Sequence, residues 1–179
     1  VILAVLVLLV IWFVATYNGF VSLRNRVDEA FSTMDVYLVK RYDLIPNLVE
    51  TVKGYTKHES ETLEKVIKAR NAAVSATTPA EKLESETELA GTLSRLFALT
   101  EAYPELKANT NFMNLQDQLN KMEGEIANAR KYYNGVVKTF NTKCETIPSN
   151  IIAGICGFVK QPMFVVQDES QRDSVKVQF

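Results

Sequence analysis

Arg41 interrupts a row of apolar residues. From Val27 the row steps by four and three through Phe31, Met34 and Leu38. Arg41 takes the next place, and Ile45, Leu48, Val52 and Tyr55 continue it. A spacing near 3.5 residues puts these positions on one face of a helix that packs against others. A guanidinium on that face is costly to bury unless a carboxylate from another helix pairs with it. Glu101 and Glu123 are the candidate partners, because Asp43 is too close in sequence to face the same way. Such a pair would fix helix register rather than do catalysis. The plainer alternative is that Arg41 reaches solvent along its aliphatic stem. Asn47, Asn134 and Asn141 also lie among apolar neighbours. Their carboxamides could bond across helices or to a backbone carbonyl freed by Pro46, or be ordinary surface groups. Tyr132 and Tyr133 read as a core residue and its edge neighbour.

The remaining reactive residues form no catalytic pattern. His58 is the single histidine, which excludes a His-rich zinc site, and no nucleophile motif accompanies it. Beside Glu59 it reads as a solvated residue at a helix junction. HExxH, a Gly-rich phosphate loop and GxSxG are all missing from the sequence. Glu84 and Glu88 have the i,i+4 spacing of a wet helix face. Cys144 and Cys156 have neither metal-ligand nor CxxC spacing; they read as ordinary thiols, with a bridge as the alternative. A net charge of −1 provides no footprint for nucleic acid or acidic lipid. The expectation is therefore a protein with no enzymatic activity, metal or cofactor.

The elements that position these residues are helical. Only 7 glycines and 5 prolines occur among 179 residues, few for a β-rich chain. Pro46 falls inside the first row, whose register survives it, so a kinked continuous helix is expected there. A boundary is predicted between Gly54 and Ser60, where Thr56-x-x-Glu59 has capping-box form. A second helix runs to about Val74 with Leu63, Val66, Ile67 and Val74 inward. Thr78, Pro79 and Glu81 then start a third, which carries Leu83, Leu89, Leu93, Leu96 and Phe97. It stops near Tyr103, before Pro104. The last helix has the most regular row: Phe112, Leu115, Leu119, Met122, Ile126, Ala129, Tyr133, Val136 and Phe140. Pro148 marks its end. Short connections favour antiparallel neighbours, hence an up-and-down four-helix bundle; one long antiparallel hairpin would satisfy the same rows.

Ahead of the bundle, Val1 to Ala15 contain no polar side chain except the indole of Trp12, and the first charge is Arg24. Val1–Val21 is long enough to span a bilayer as a helix, with Trp12 and Tyr17 near an interface. A cleaved signal peptide is the competing reading, but YNGFVSL has no small-residue cleavage site. The flanking charges leave the side of the membrane open. The expected organisation is an anchor at 1–22, a helical bundle at 23–147, an apolar capping segment at 148–166 and a mobile polar tail at 167–179. Within the capping segment, Ile151–Val159 either plugs the open end of the bundle, the preferred reading, or touches the bilayer.

Five stretches, TYNGFVSLRNRVDEAFSTMDV, KRYDLIPNLVETVKGYTKHE, EAYPELKAN, LQDQLNKMEGEIANARKYYNGVVKTFN and PSNIIAGICGF, resemble the LemA family of bacterial membrane proteins. The likeness extends to about Phe164 and implies an N-terminal membrane helix followed by a helical bundle. It names no reaction. Some members are linked with magnetosome membranes and others are encoded beside a membrane metalloprotease. Anchor, helical rows and resemblance together predict a single-pass protein of the bacterial inner membrane. It would act as a scaffold or interaction module, a homo-oligomer in contact with membrane lipid and with other envelope proteins such as a membrane protease. A helical domain that binds lipid or a small apolar ligand is the alternative.

Overall fold

A computed structural model describes residues 1–164. The expected mobile tail at 167–179, and the last two residues of the capping segment, lie outside these described residues. Among the described residues every regular element is a helix: α1 (Ile2–Lys53), α2 (Ser60–Ser75), α3 (Pro79–Thr100), α4 (Pro104–Lys107), α5 (Thr110–Glu145) and α6 (Ser149–Cys156).

α1 is a single helix of 52 residues, about 78 Å long at 1.5 Å per residue. Val1 to Ala15 are all exposed, and the helix is long and apolar enough there to cross a membrane. From Phe20 onward one face becomes core, through Val27, Ala30, Met34, Leu38, Arg41, Ile45, Leu48 and Val52. No break separates the exposed apolar part from the packed part. α1 also continues through Pro46. Proline has no N–H to give the carbonyl four residues earlier, that of Tyr42. Arg70 of α2 takes that place, its Nε donating to Tyr42 O at 3.2 Å.

α5 returns along α1, α2 packs on α1, α3 packs on α2, and α6 touches both α1 and α5. The α1–α5 pairing is antiparallel. Phe20 meets Phe140 with ring centroids 6.0 Å apart, while further along α1 Phe31 meets Tyr133, earlier in α5, also at 6.0 Å. The α5 row lies inward as its spacing predicts, with Val137 fully buried and Val136 at its edge. Asn109 starts α5 by accepting from Phe112 N at 3.0 Å. The capping box at Thr78 and Glu81 starts α3.

Three local expectations are corrected. Thr56-x-x-Glu59 forms no capping box; the Thr56 hydroxyl donates back to Val52 O at 3.2 Å and closes the end of α1. Tyr55 is exposed, since α1 has ended, and its hydroxyl accepts from Asn109 Nδ2 at 2.8 Å. Val74 also faces out. Ala69 and Ala73 occupy the inner face of α2, where small side chains let helices approach closely.

Candidate functional site

Two polar constellations stand out. The first surrounds Arg41, whose side chain is 2 % exposed. It pairs with Glu86 of α3, 4 % exposed, and with Glu123 of α5, 52 % exposed and 2.5 Å away. Tyr42, next to Arg41 on α1, donates its hydroxyl to the other oxygen of Glu86. Both carboxylate oxygens of Glu86 are thus engaged, one by a guanidinium and one by a phenol. Arg130 of α5 is a half-buried neighbour whose Nε finds no hydrogen-bond partner among the described residues. Two guanidinium groups and two carboxylates therefore balance in charge. Burial opposes the charge on Arg41, but Glu86 and Glu123 outweigh it and hold its pKa above the ordinary value. Burial lowers the pKa of Arg130, with Arg41 adding to that effect. Burial, then Glu86, raises the pKa of Tyr42 far above the usual phenol.

Lys82 extends the cluster along α3. It is buried, donates to Ala73 O at 3.1 Å, lies 3.0 Å from Asp35 Oδ1 and sits 5.5 Å from the centre of the Tyr42 ring. The buried face of α3 is thus Lys82, Ser85 and Glu86 before it becomes Leu89, Leu93 and Leu96. Its polar first half explains why a reading based on leucines placed the face at Leu83 and missed Glu86.

The structure joins Arg41 to Glu123 and not to Glu101. Glu101 follows the end of α3 and pairs with Lys107 at 2.6 Å on the surface. It lies fifteen residues beyond Glu86, about 22 Å along a helix, so it cannot reach the same guanidinium. Asn47 is exposed, and only its backbone carbonyl takes part in a bond, from Thr51. The carbonyl freed by Pro46 is filled by Arg70 instead of an asparagine.

Asn134 and Asn141 form the second constellation. Gly157 ends α6 in the left-handed conformation, φ 71°, and turns the chain into an extended strap over residues 158–164. Asn141 donates to Gln161 O at 2.9 Å and accepts from Gln161 N at 2.8 Å. Asn134 does the same with Phe164, at 2.8 Å for both bonds. Between them the Tyr133 hydroxyl donates to Pro162 O at 3.0 Å. Seven helical residues rise about 10.5 Å, and three extended residues span about 10 Å. The two spacings match, so one helix face offers two carboxamides in register with the strap. Phe158 begins the strap, stacked on Phe20 at 4.7 Å, and Phe164 ends the described part edge-on to Tyr133 at 5.5 Å.

The strap covers one flank of the α1–α5 pair. On the opposite flank Leu23, Tyr132, Gly135 and Val136, flanked by Arg26, Asn128, Lys131 and Thr139, line an open groove of about 530 Å³. Tyr133 is core and Tyr132 exposed at its edge. Cys144 and Cys156 are both free, half-buried thiols. Among the described residues no group of His, Cys, Asp and Glu side chains could hold a metal ion.

An all-helical chain with one long apolar leading helix and internal polar clasps is the class these features define. The family model described as the LemA family matches residues 30–179. The chain belongs to the LemA family. It is 27 % identical to Protein LemA of Metamycoplasma hominis over 145 residues, covering 79 % of this chain and 65 % of that one. It is 25 % identical to Magnetosome protein MamQ 2 of Paramagnetospirillum magneticum, over 88 % of this chain and 69 % of that one. Similarity to Magnetosome protein MamQ of Magnetospirillum gryphiswaldense is 23 %, over 90 % of this chain and 71 % of the other. The chain thus spans just under two thirds of the Metamycoplasma relative's length.

Proposed function

We propose that this chain is a single-pass protein of a bacterial inner membrane that carries an up-and-down four-helix bundle and serves as a scaffold. The observation that carries the reading is the continuity of α1. One helix passes from fifteen exposed apolar residues directly into a packed core. Exposed apolar side chains over a whole helix circumference suit lipid, not water. The open groove of Leu23, Tyr132, Gly135 and Val136 supports self-assembly, because a second copy can cover it. Other envelope proteins, a membrane protease among them, are further partners for that face. The occupied carboxylate of Glu86 supports a structural role for the buried cluster instead of catalysis. Similarity to chains named magnetosome proteins adds support for a membrane-associated protein.

Alkaline carbonate extraction of membranes, followed by sizing of the full chain in mild detergent, tests both parts. The expected result is retention in the membrane pellet and a particle larger than one chain. Release into the soluble fraction defeats the anchor, and a monomer at every concentration defeats self-assembly. The same groove is open enough to favour, second, a lipid or small apolar ligand held between helices. Native mass spectrometry with a retained lipid is the result that reading expects.

A further inference from the structure

We propose that α6 lies on the bilayer surface, with Ile147, Ile151, Ile155 and Val159 set among the lipids that surround α1. The inference rests on the anchoring of α1 in a membrane and adds a second contact with it. Three observations carry it.

The first is position. α5 descends antiparallel to α1 and brings its last turn to the level where the apolar stretch ends. Lys143 lies across Gly19, so close that a side chain there would meet its ammonium, and 4.8 Å from the Phe20 ring centre. Phe158, just past α6, stands 5.7 Å from Tyr17. α6 is held between these two points, at the depth where α1 leaves its exposed apolar segment.

The second is the division of α6 into two faces. Ile152 and Ala153 are buried against the core, as expected of a plug. Ile151 and Ile155, one turn apart, face outward from α6, and Ile147 just before the helix and Val159 just after it are exposed as well, all four at 57–83 %. A plug requires only the inner face. An apolar outer face on so short a helix is left without a neighbour unless a bilayer supplies one.

The third is the charge pattern. No charged residue occurs from Thr146 to Val159. Lys143, Glu145 and Lys160 stand just outside these limits, Lys160 paired with Glu145 at 2.6 Å, while Arg24 lies 5.7 Å over the Phe158 ring and leaves two cations at the rim without that carboxylate. Long basic side chains at the rim of an apolar surface reach phosphate groups while their stems stay in the interface.

The experiment uses the full chain in lipid nanodiscs, with Cys144 and Cys156 replaced by alanine and a single fluorophore on Ile155→Cys. Matched labels go on Leu6→Cys in the apolar part of α1 and on Met113→Cys at the far end. All three positions are exposed, so the label does not disturb the core. Lipids brominated near the headgroup should quench Ile155→Cys and Leu6→Cys but not Met113→Cys, and aqueous iodide should show the reverse order. If iodide reaches Ile155→Cys as freely as Met113→Cys while Leu6→Cys stays shielded, the surface contact is wrong and the anchor stands. Iodide access at Leu6→Cys overturns the anchor and the inference together. Shielding of Ile155→Cys from both quenchers identifies a second copy as its cover and also overturns the inference.

Discussion

Arg70 Nε donates to the carbonyl of Tyr42, 3.2 Å away, in the place left empty by the missing N–H of Pro46. A defect in one helix is thus mended by a side chain of the next, which ties α2 to α1 at a fixed height. Arg70→Ala should cost about 1–2 kcal/mol, the penalty for an unsatisfied backbone acceptor. Pro46→Ala restores the helical donor, so the same substitution in that background should cost clearly less. Urea unfolding of the four proteins in a double-mutant cycle measures the coupling. Strict additivity would show that Arg70 does not serve this carbonyl.

The buried cluster predicts a strong asymmetry. Arg41→Met leaves Glu86 charged and buried, and should cost about 3–5 kcal/mol. Adding Glu86→Leu and Tyr42→Phe removes the buried carboxylate and the phenol that donates to it, and should recover part of the loss, with the half-exposed Glu123 left to face Arg130 and solvent. Glu123→Gln, at the half-exposed end of the cluster, should change stability by about 1 kcal/mol or less. A thermal melt of Arg41→Met indistinguishable from the parent contradicts this account.

Hydrogen exchange tests the strap. Asn134 and Asn141 hold both backbone groups of Phe164 and Gln161. Alanine at either position should cost about 1–3 kcal/mol and speed exchange at the corresponding amide. Asn141→Asp retains the acceptor for Gln161 N but loses the donor to its carbonyl, so protection should fall between parent and alanine. Unchanged exchange at Gln161 in Asn141→Ala would detach the strap from these carboxamides.

Alkaline titration addresses the phenols. Burial and Glu86 raise the pKa of Tyr42, and burial with Asp28 pushes Tyr133 up to about 12, from an ordinary 10.0. Both groups bind their proton more tightly when folded. Their contribution to stability is therefore complete below about pH 10 and is lost as the pH rises beyond it. Phenolate absorbance of the native chain should show Tyr42 and Tyr133 as a late pair among its seven tyrosines, with Tyr103 also raised, by burial and then by Glu59. Tyr42→Phe should remove one of the late pair; a titration curve unchanged in that region rejects the assignment.

Much of the helical order was legible because long rows of apolar residues have one period and few alternatives. Those on α1 and α5 were read nearly residue by residue. Arg41 was legible as an anomaly, and Glu123 as a partner. Glu86 was not, although it fills the place between Leu83 and Leu89 in the row, because a carboxylate there looks like a wet position until a cation from another helix meets it. Lys82 was hidden for the same reason. The strap has no period at all. Its signal was the seven-residue spacing of Asn134 and Asn141, whose meaning depends on an extended segment twenty to thirty residues away. The partner of the Tyr42 carbonyl had to come from outside α1, and several polar residues were eligible, so Arg70 could be chosen only from the packing.

The unbroken course of α1 has a mechanical consequence. A swivel between stem and head would require a glycine pair, a loop or a lost run of hydrogen bonds near residues 18–24, and the helix has none of these there. Turning the exposed apolar stem about its axis would therefore turn the row from Val27 to Val52 with it and drive that row against α5 and α2. Tilt or torque imposed on the stem would arrive at the head as through a rigid shaft.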